Sequence, residues 1–130
     1  MDFLQAIKDR MPEYAKDIRL NLQSVLEGGA LSDAQKWGVA AACAIAARNP
    51  RLRDAVLADA LVKAGPDVVE DARAAAVLMA MNNVYYRFLH LVEDEEYGTM
   101  PARLRMNVIG NPGIDRLDFE LLSLAVSAVN

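Results

Sequence analysis

The stretch from Asp115 to Asn130 constrains the fold most, because it is apolar on nearly every side. A helix with this pattern is normally buried. Polar residues interrupt the apolar run at successive offsets of three, four and three, which places them on one helical face. This polar seam consists of Glu120, Ser123, Ser127 and Asn130.

Glu120 is the one ionisable residue of the polar seam, and two interpretations of it stay open. The seam could be a solvated strip on an amphipathic helix, because single glutamates are mostly exposed. Alternatively, Glu120 could be a carboxylate in apolar surroundings. Desolvation would raise the pKa of such a group and make it a usable general base.

The composition fits one domain and excludes several classes of protein. The chain has 130 residues, a hydrophobic share of 54%, a net charge of −4 and a pI of about 4.9. The sequence contains no basic patch with interleaved aromatic residues, so nucleic-acid binding is not expected. No apolar run approaches the roughly 18 residues that would span a membrane. The beginning of the chain lacks a signal-peptide layout. The single cysteine, Cys43, cannot form an internal disulfide. We therefore expect a cytoplasmic protein.

Helical periodicity accounts for almost the whole chain, and no segment alternates with the period of two that a strand requires. The sequence predicts an all-α fold and one domain over residues 1–130. A capping box of Ser32 and Gln35 marks one helix start, and Asp67 and Asp115 are expected to cap two others. Helices are predicted at 3–10, 13–27, 33–48, 50–63, 68–96, 101–108 and 115–130. The long segment 68–96 is either one helix or two helices with a bend near Asn82.

Few other residues offer chemistry. Cys43 lies among small apolar residues, which favours a core position with a protonated thiol over a reactive one. His90 has no second ligand at metal spacing. Asn82 and Asn83 interrupt an apolar run, so they form either a structural hydrogen-bond network or the lining of a functional cavity. The acidic run Asp94–Glu96 is interpreted as a solvated helix end. By its residues alone, the chain lacks a complete active site.

Five blocks of the chain resemble the AhpD alkylhydroperoxidases and follow one another in the order of that family. They cover the chain from near its start to its last residue. The blocks are PEYAKDIRLNLQS (12–24), QKWGVAAACAIAARNP (35–50), MAMNNVYYRF (79–88), LRMNVIGNPGI (104–114) and FELLSLAVSAVN (119–130).

The resemblance implies an all-α protein of the carboxymuconolactone-decarboxylase-like superfamily that forms homotrimers. It implies peroxidase chemistry at a CxxC pair, with a proton relay of a glutamate and a histidine. Glu120 matches the relay glutamate, and Cys43 matches neither family cysteine. In the family, the CxxC follows soon after the asparagine that matches Asn130. The sequence at 1–130 is therefore expected to be truncated before the CxxC and inactive as given.

The resemblance also implies the partners. Organic hydroperoxides would be the substrates, and no bound cofactor or metal is expected. Reducing equivalents would come from dihydrolipoyl groups on a dihydrolipoamide acyltransferase, fed by NADH, and the peroxiredoxin AhpC would accept electrons. The alternative hypothesis is a non-catalytic helical oligomerisation module that keeps the family's subunit contacts.

Overall fold

The computed structural model describes residues 2–130, and these form eight α-helices, one short 3-10 turn and no strand. The predicted all-α fold is confirmed. The elements are α1 (Phe3–Lys8), the 3-10 turn (Glu13–Ala15), α2 (Lys16–Glu27), α3 (Asp33–Ala46), α4 (Pro50–Ala64), α5 (Pro66–Val92), α6 (Glu95–Thr99), α7 (Asn107–Gly110) and α8 (Arg116–Val129).

Side-chain caps begin several of these helices. Ser32 and Gln35 form the predicted capping box at the start of α3, which satisfies two otherwise unpaired groups. Asn49 accepts a hydrogen bond from the backbone N–H of Leu52, and Pro50 occupies the first turn of α4. Asp115 caps α8 through the N–H of Leu117, as predicted. Local sequence signals therefore fix these three boundaries.

The region around α5 differs from the prediction in two ways. Helix α5 continues without a break through Asn82 and ends at Val92, so the bend alternative is wrong. Its N-cap is Gly65 (φ 90°), and no side chain caps it, so Asp67 does not serve as the predicted cap. The helix ends because Glu93 turns left-handed, at φ 51°. Asp94 then caps the separate helix α6, which divides the segment predicted at 68–96.

The prediction of a helix at 101–108 is wrong. Residues 101–106 are not helical, and only Asn107–Gly110 forms a single short turn, α7. Arg103 has a positive φ of 53°, which is incompatible with a continuing right-handed helix.

Helix α3 lies at the centre of the fold and packs against α4, α5 and α8. Its Gly38 permits the closest approach, because a Cβ atom there would lie 2.9 Å from Leu122 Cδ2 and 3.0 Å from Val68 Cγ1. Helix α8 contributes the three largest fully buried side chains: Phe119, Leu122 and Val126. The C-terminal helix is thus part of the core, as its apolar composition predicts.

Two buried carboxylates and one amide fasten the connections to this core. Asp59 of α4 accepts hydrogen bonds from the first amides of α1. Asp71 of α5 accepts one at 2.8 Å from the N–H of Ile114, just before α8. Gln35 donates one at 2.8 Å to Asp118, which joins the starts of α3 and α8. The first amides of α1 and the loop amide of Ile114 thereby gain partners that helical geometry alone does not supply.

Within residues 2–130, no helix combines the length and the apolar character needed to cross a membrane.

Candidate functional site

Glu120 lies on the exposed side of α8, and its side chain is 60% exposed. Its nearest ionic partner is Arg116, one turn earlier, at 3.7 Å and also exposed. Leu117 and Leu124 flank it on the same face and are 71% and 66% exposed. Of the two interpretations of Glu120, the solvated strip on an amphipathic helix therefore describes this chain, and the desolvated carboxylate does not. Phe119 lies on the buried face of α8. Glu120 is the next residue along the helix, so its side chain points away from α3 and α5.

The C-terminal half of the polar seam behaves differently from Glu120. Ser127 donates a hydrogen bond of 3.1 Å to Asn83 Oδ1 of α5. The backbone carbonyl of Asn130 accepts one of 3.1 Å from Arg87 Nη2, also on α5. The seam therefore runs from solvent at Glu120 to an α5–α8 interface near the last residue.

Asn83 lies in this interface and Asn82 faces the segment before α7, and neither residue interrupts helix α5. Asn82 is buried, and its amide N–H contacts the sulfur of Met106 at 3.1 Å. Within residues 2–130, Asn82 Oδ1 and Asn83 Nδ2 have no hydrogen-bond partner. Buried polar atoms of this kind are uncommon in folded proteins. The structural hydrogen-bond network that the sequence allows for Asn82 and Asn83 is therefore present as the Asn83–Ser127 bond. It does not account for Asn82 Oδ1 and Asn83 Nδ2.

Cys43 occupies a half-buried position on α3, with its sulfur 3.9 Å from the carbonyl oxygen of Ala125 on α8. Burial raises the pKa of this thiol, because a thiolate is poorly solvated there. A raised pKa reduces the fraction of nucleophilic thiolate. The sequence-based interpretation of Cys43 as a protonated thiol agrees with this geometry.

The remaining candidates are exposed. His90 lies on the surface near the end of α5. Asp94 caps α6, so the acidic run begins a helix and does not merely end one. In the described part of the chain, no group of three His, Cys, Asp or Glu side chains could hold a metal ion.

Sequence reasoning missed a polar cavity of about 470 Å³ between α1, α3 and α4. Lys8, Lys36 and Lys63 line it together with Trp37 and the carboxylate of Asp59. Lys8 is only 9% exposed as a whole residue, and the carboxylates of Asp2, Glu27 and Asp33 line the same cavity. One signal was available: Lys8 follows the core residue Leu4 by four positions and therefore shares its buried face.

A second cavity, of about 320 Å³, adjoins the polar one and is lined almost wholly by apolar side chains. Leu4, Leu26 and Lys36 line both cavities. The apolar cavity extends along α3 to Cys43 and reaches Val129 at the end of α8. The two cavities thus share a wall, and together they form a recess with one end lined by charged side chains of both signs and one apolar end.

The architecture defines the class: an all-α protein whose C-terminal helix is packed into its core, with an amphipathic recess between the N-terminal helix and α3.

No family model matches the chain. It is 60% identical over 130 residues to proteins named alkyl hydroperoxide reductase AhpD from Anaeromyxobacter dehalogenans (strain 2CP-C) and Anaeromyxobacter sp. (strain K). The match covers 100% of this chain and 70% of each relative.

A protein of the same name from Brucella anthropi is 54% identical over 124 residues, which cover 95% of this chain and 71% of the relative. Identity at this level over nearly the whole chain shows common descent. The chain belongs to the AhpD family, as the five sequence blocks predicted.

Proposed function

We propose that this chain belongs to an alkyl hydroperoxide reductase that reduces organic hydroperoxides with a pair of cysteines in a CxxC motif. The observation that carries the proposal is the 54–60% identity to proteins named for this activity. In the reaction, a thiolate attacks the terminal peroxide oxygen and the alcohol leaves. The second thiol then displaces water from the resulting sulfenic acid, which produces a disulfide.

The dithiol of this mechanism is not among the 130 residues, because Cys43 is the single cysteine. By resemblance, the pair follows the position of Asn130 in a longer polypeptide. Val129 and Asn130 end α8 beside α5, through the bond from Arg87 to Asn130. Residues that follow Asn130 would therefore start next to the α5–α8 interface.

Glu120 is our proposed proton relay, acting through a histidine of the same CxxC segment. In this chain it is exposed, and a general base of the required strength needs a desolvated carboxylate. The relay therefore requires that another part of the active protein cover the face formed by Leu117, Glu120 and Leu124. The exposure of both leucines supports such a cover, because large apolar side chains favour burial.

The reducing side of the cycle is proposed by family resemblance. Dihydrolipoyl groups of a dihydrolipoamide acyltransferase would reduce the disulfide with electrons from NADH, and AhpC would receive electrons from the dithiol. No bound cofactor is proposed. The active form would be a homotrimer.

The test measures reduction of cumene hydroperoxide with dihydrolipoamide as reductant. We expect no turnover by the 130-residue chain, and no difference between it and Cys43→Ser. In a version extended through the CxxC segment, we expect activity that Glu120→Gln reduces at neutral pH, while Glu95→Gln on α6 serves as the control. Peroxide reduction by the 130-residue chain that Cys43→Ser abolishes would overturn the assignment of chemistry to the CxxC pair.

A second candidate is the non-catalytic helical oligomerisation module. The observation that favours it is an exposed apolar stripe along α5, formed by Val77, Val84, Phe88 and Leu91. An extended version with a CxxC segment that folds, associates and shows no peroxide reduction would support the module over the enzyme.

A further inference from the structure

The side chain of Asn82 is buried on α5, and none of its atoms has a strong hydrogen-bond partner in the described chain. The residue is only 8% exposed. Its amide nitrogen, which carries two donor hydrogens, lies 3.1 Å from Met106 Sδ and 3.9 Å from Met79 Sδ. A thioether sulfur is a weak acceptor. The amide oxygen, Oδ1, has no partner among residues 2–130.

This arrangement of Asn82 is not what stability alone favours. A buried polar group that lacks a partner destabilises a fold by about 1–3 kcal/mol. Leucine has the same branched shape as asparagine and would place only apolar atoms at this position, as the surrounding methionines do. The amide is therefore better matched to an acceptor stronger than a thioether at the position of the Met106 sulfur.

Met106 lies where such an acceptor can form. Residues 101–106 are not helical, and half-buried residues at 102, 104 and 106 alternate with exposed residues at 101, 103 and 105. Met106 thus contacts Asn82 on one side and remains accessible to solvent on another. Its unbranched side chain has three rotatable bonds, so the sulfur can move outward without a change in the backbone.

We infer that Met106 is a site of oxidation to methionine sulfoxide, and that the amide of Asn82 binds the sulfoxide oxygen. A lone pair of the sulfur attacks the terminal oxygen of a hydroperoxide, so that an S–O bond forms and the O–O bond breaks. The peroxide proton moves to the departing oxygen, which leaves as the alcohol. The sulfur loses two electrons and the peroxide gains them. Methionine sulfoxide reductases reverse this modification.

The contact with Asn82 distinguishes Met106 from an ordinary methionine. Oxidation usually disrupts the packing around a methionine, because a polar group replaces an apolar one. At Met106 the new oxygen would take the place of the sulfur next to Asn82 Nδ2 and accept its hydrogen bond. The folded state would therefore tolerate this oxidation. The inference goes beyond the proposed function, since it requires a hydroperoxide and does not involve the dithiol.

The experiment treats the 130-residue chain with tert-butyl hydroperoxide, in a Cys43→Ser background that excludes thiol oxidation. Peptide mass spectrometry measures the sulfoxide at Met106 and at Met100, which is 49% exposed. Guanidinium chloride unfolding measures stability before and after treatment. We expect sulfoxide at Met106 in the folded chain. The loss of stability should be no greater than in Met106→Leu, in which only the other methionines are oxidised.

Asn82→Leu isolates the contribution of the amide. Before oxidation it should be at least as stable as the original chain, because it removes the unpaired Oδ1. After oxidation its folding equilibrium constant should fall about ten-fold further than that of the original chain, which corresponds to one hydrogen bond of about 1.4 kcal/mol. Asn21→Leu, at an exposed position of α2, is the matched control and should respond as the original chain does. Asn82→Ala takes the place of Asn82→Leu if the leucine variant does not fold.

The inference is overturned if Met106 stays unoxidised in the folded chain after Met100 has reacted completely. It is also overturned if the original chain and Asn82→Leu lose equal stability once Met106 carries the sulfoxide. Neither measurement depends on turnover. An extended protein without peroxidase activity would reject the proposed function and leave the result at Met106 unchanged.

Discussion

Cys43 shows how the surroundings of one residue limit its chemistry. Burial raises the pKa of its thiol, so the thiolate fraction at a given pH is smaller than in an exposed cysteine. We expect iodoacetamide to label the folded chain more slowly than the chain unfolded in guanidinium chloride. The labelling rate of the folded chain should level off at a higher pH than the ordinary thiol value of about 8.5.

The same pKa shift has a consequence for stability. The unfolded thiol ionises first, so the free energy of unfolding should fall as the pH rises above the ordinary thiol value. Cys43→Ser should remove both the labelling and this pH dependence. Equal labelling rates in the folded and unfolded chains near neutral pH would contradict the prediction.

Glu120 shows that the residue pattern of a helix does not determine which of its sides faces the core. Its offsets from Ser123 and Ser127 place these residues near one face, yet Ser127 bonds to Asn83 of α5 while Ser123 bonds only within α8 and Glu120 is exposed. A helix that is apolar on nearly all sides does not reveal which side meets the core. That choice depends on the packing of α8 against α3 and α5.

At the scale of elements, α1 depends on the rest of the fold. A helix of six residues is not stable in isolation. Asp59 of α4 holds its start, because its two carboxylate oxygens accept the N–H groups of Phe3 and Leu4 at 2.9 and 2.7 Å. Leu4 is buried beneath this contact.

We therefore expect Asp59→Ala to lower the free energy of unfolding by about 1–3 kcal/mol, because it leaves buried donors unpaired. Guanidinium chloride unfolding measures the change. Asp54→Ala on the exposed side of the same helix is the matched control, and it should change stability by no more than about 0.5 kcal/mol. Equal effects of the two substitutions would exclude the anchoring role of Asp59.

Helices with local signals were predictable, and elements set by distant contacts were not. The capping box at Ser32, the cap at Asn49 and the turn before Asp115 are encoded within a few residues. Helix α7 has no side-chain cap, and α6 starts at the cap Asp94 within an acidic run that by itself fits a helix end equally well. The buried position of Lys8 was indicated by its spacing from Leu4, but the cavity it lines requires α3 and α4 to be in place.

For the whole molecule, the exposed apolar stripe of α5 is a surface feature that bears on association, and the half-buried Met81 continues it. Val77, Met81, Val84, Phe88 and Leu91 follow one another at alternating offsets of four and three. This is the spacing by which helices pack against one another. Apolar residues in such a row, left exposed to solvent, favour contact with another molecule.

We therefore expect this chain to self-associate with rising concentration, as light scattering coupled to size-exclusion chromatography can measure. The double substitution Val84→Lys and Leu91→Lys should shift the population toward monomer, because a lysine ammonium in a contact must be desolvated. Ile18→Lys, at an exposed position of α2, should have no comparable effect. A monodisperse monomer of the original chain at all concentrations would rule out association through α5.

The dependence of α1 on Asp59 has a practical consequence for handling the protein. Asp2 and Leu4 belong to the wall of the recess, so an affinity tag fused ahead of them would extend from its rim. A bulky or charged fusion there would crowd this wall and disturb the start of the short helix, where Asp2 caps Gln5 and Asp59 accepts from Phe3 and Leu4. Purification handles should be cleaved from the amino terminus before the stability of the protein is measured.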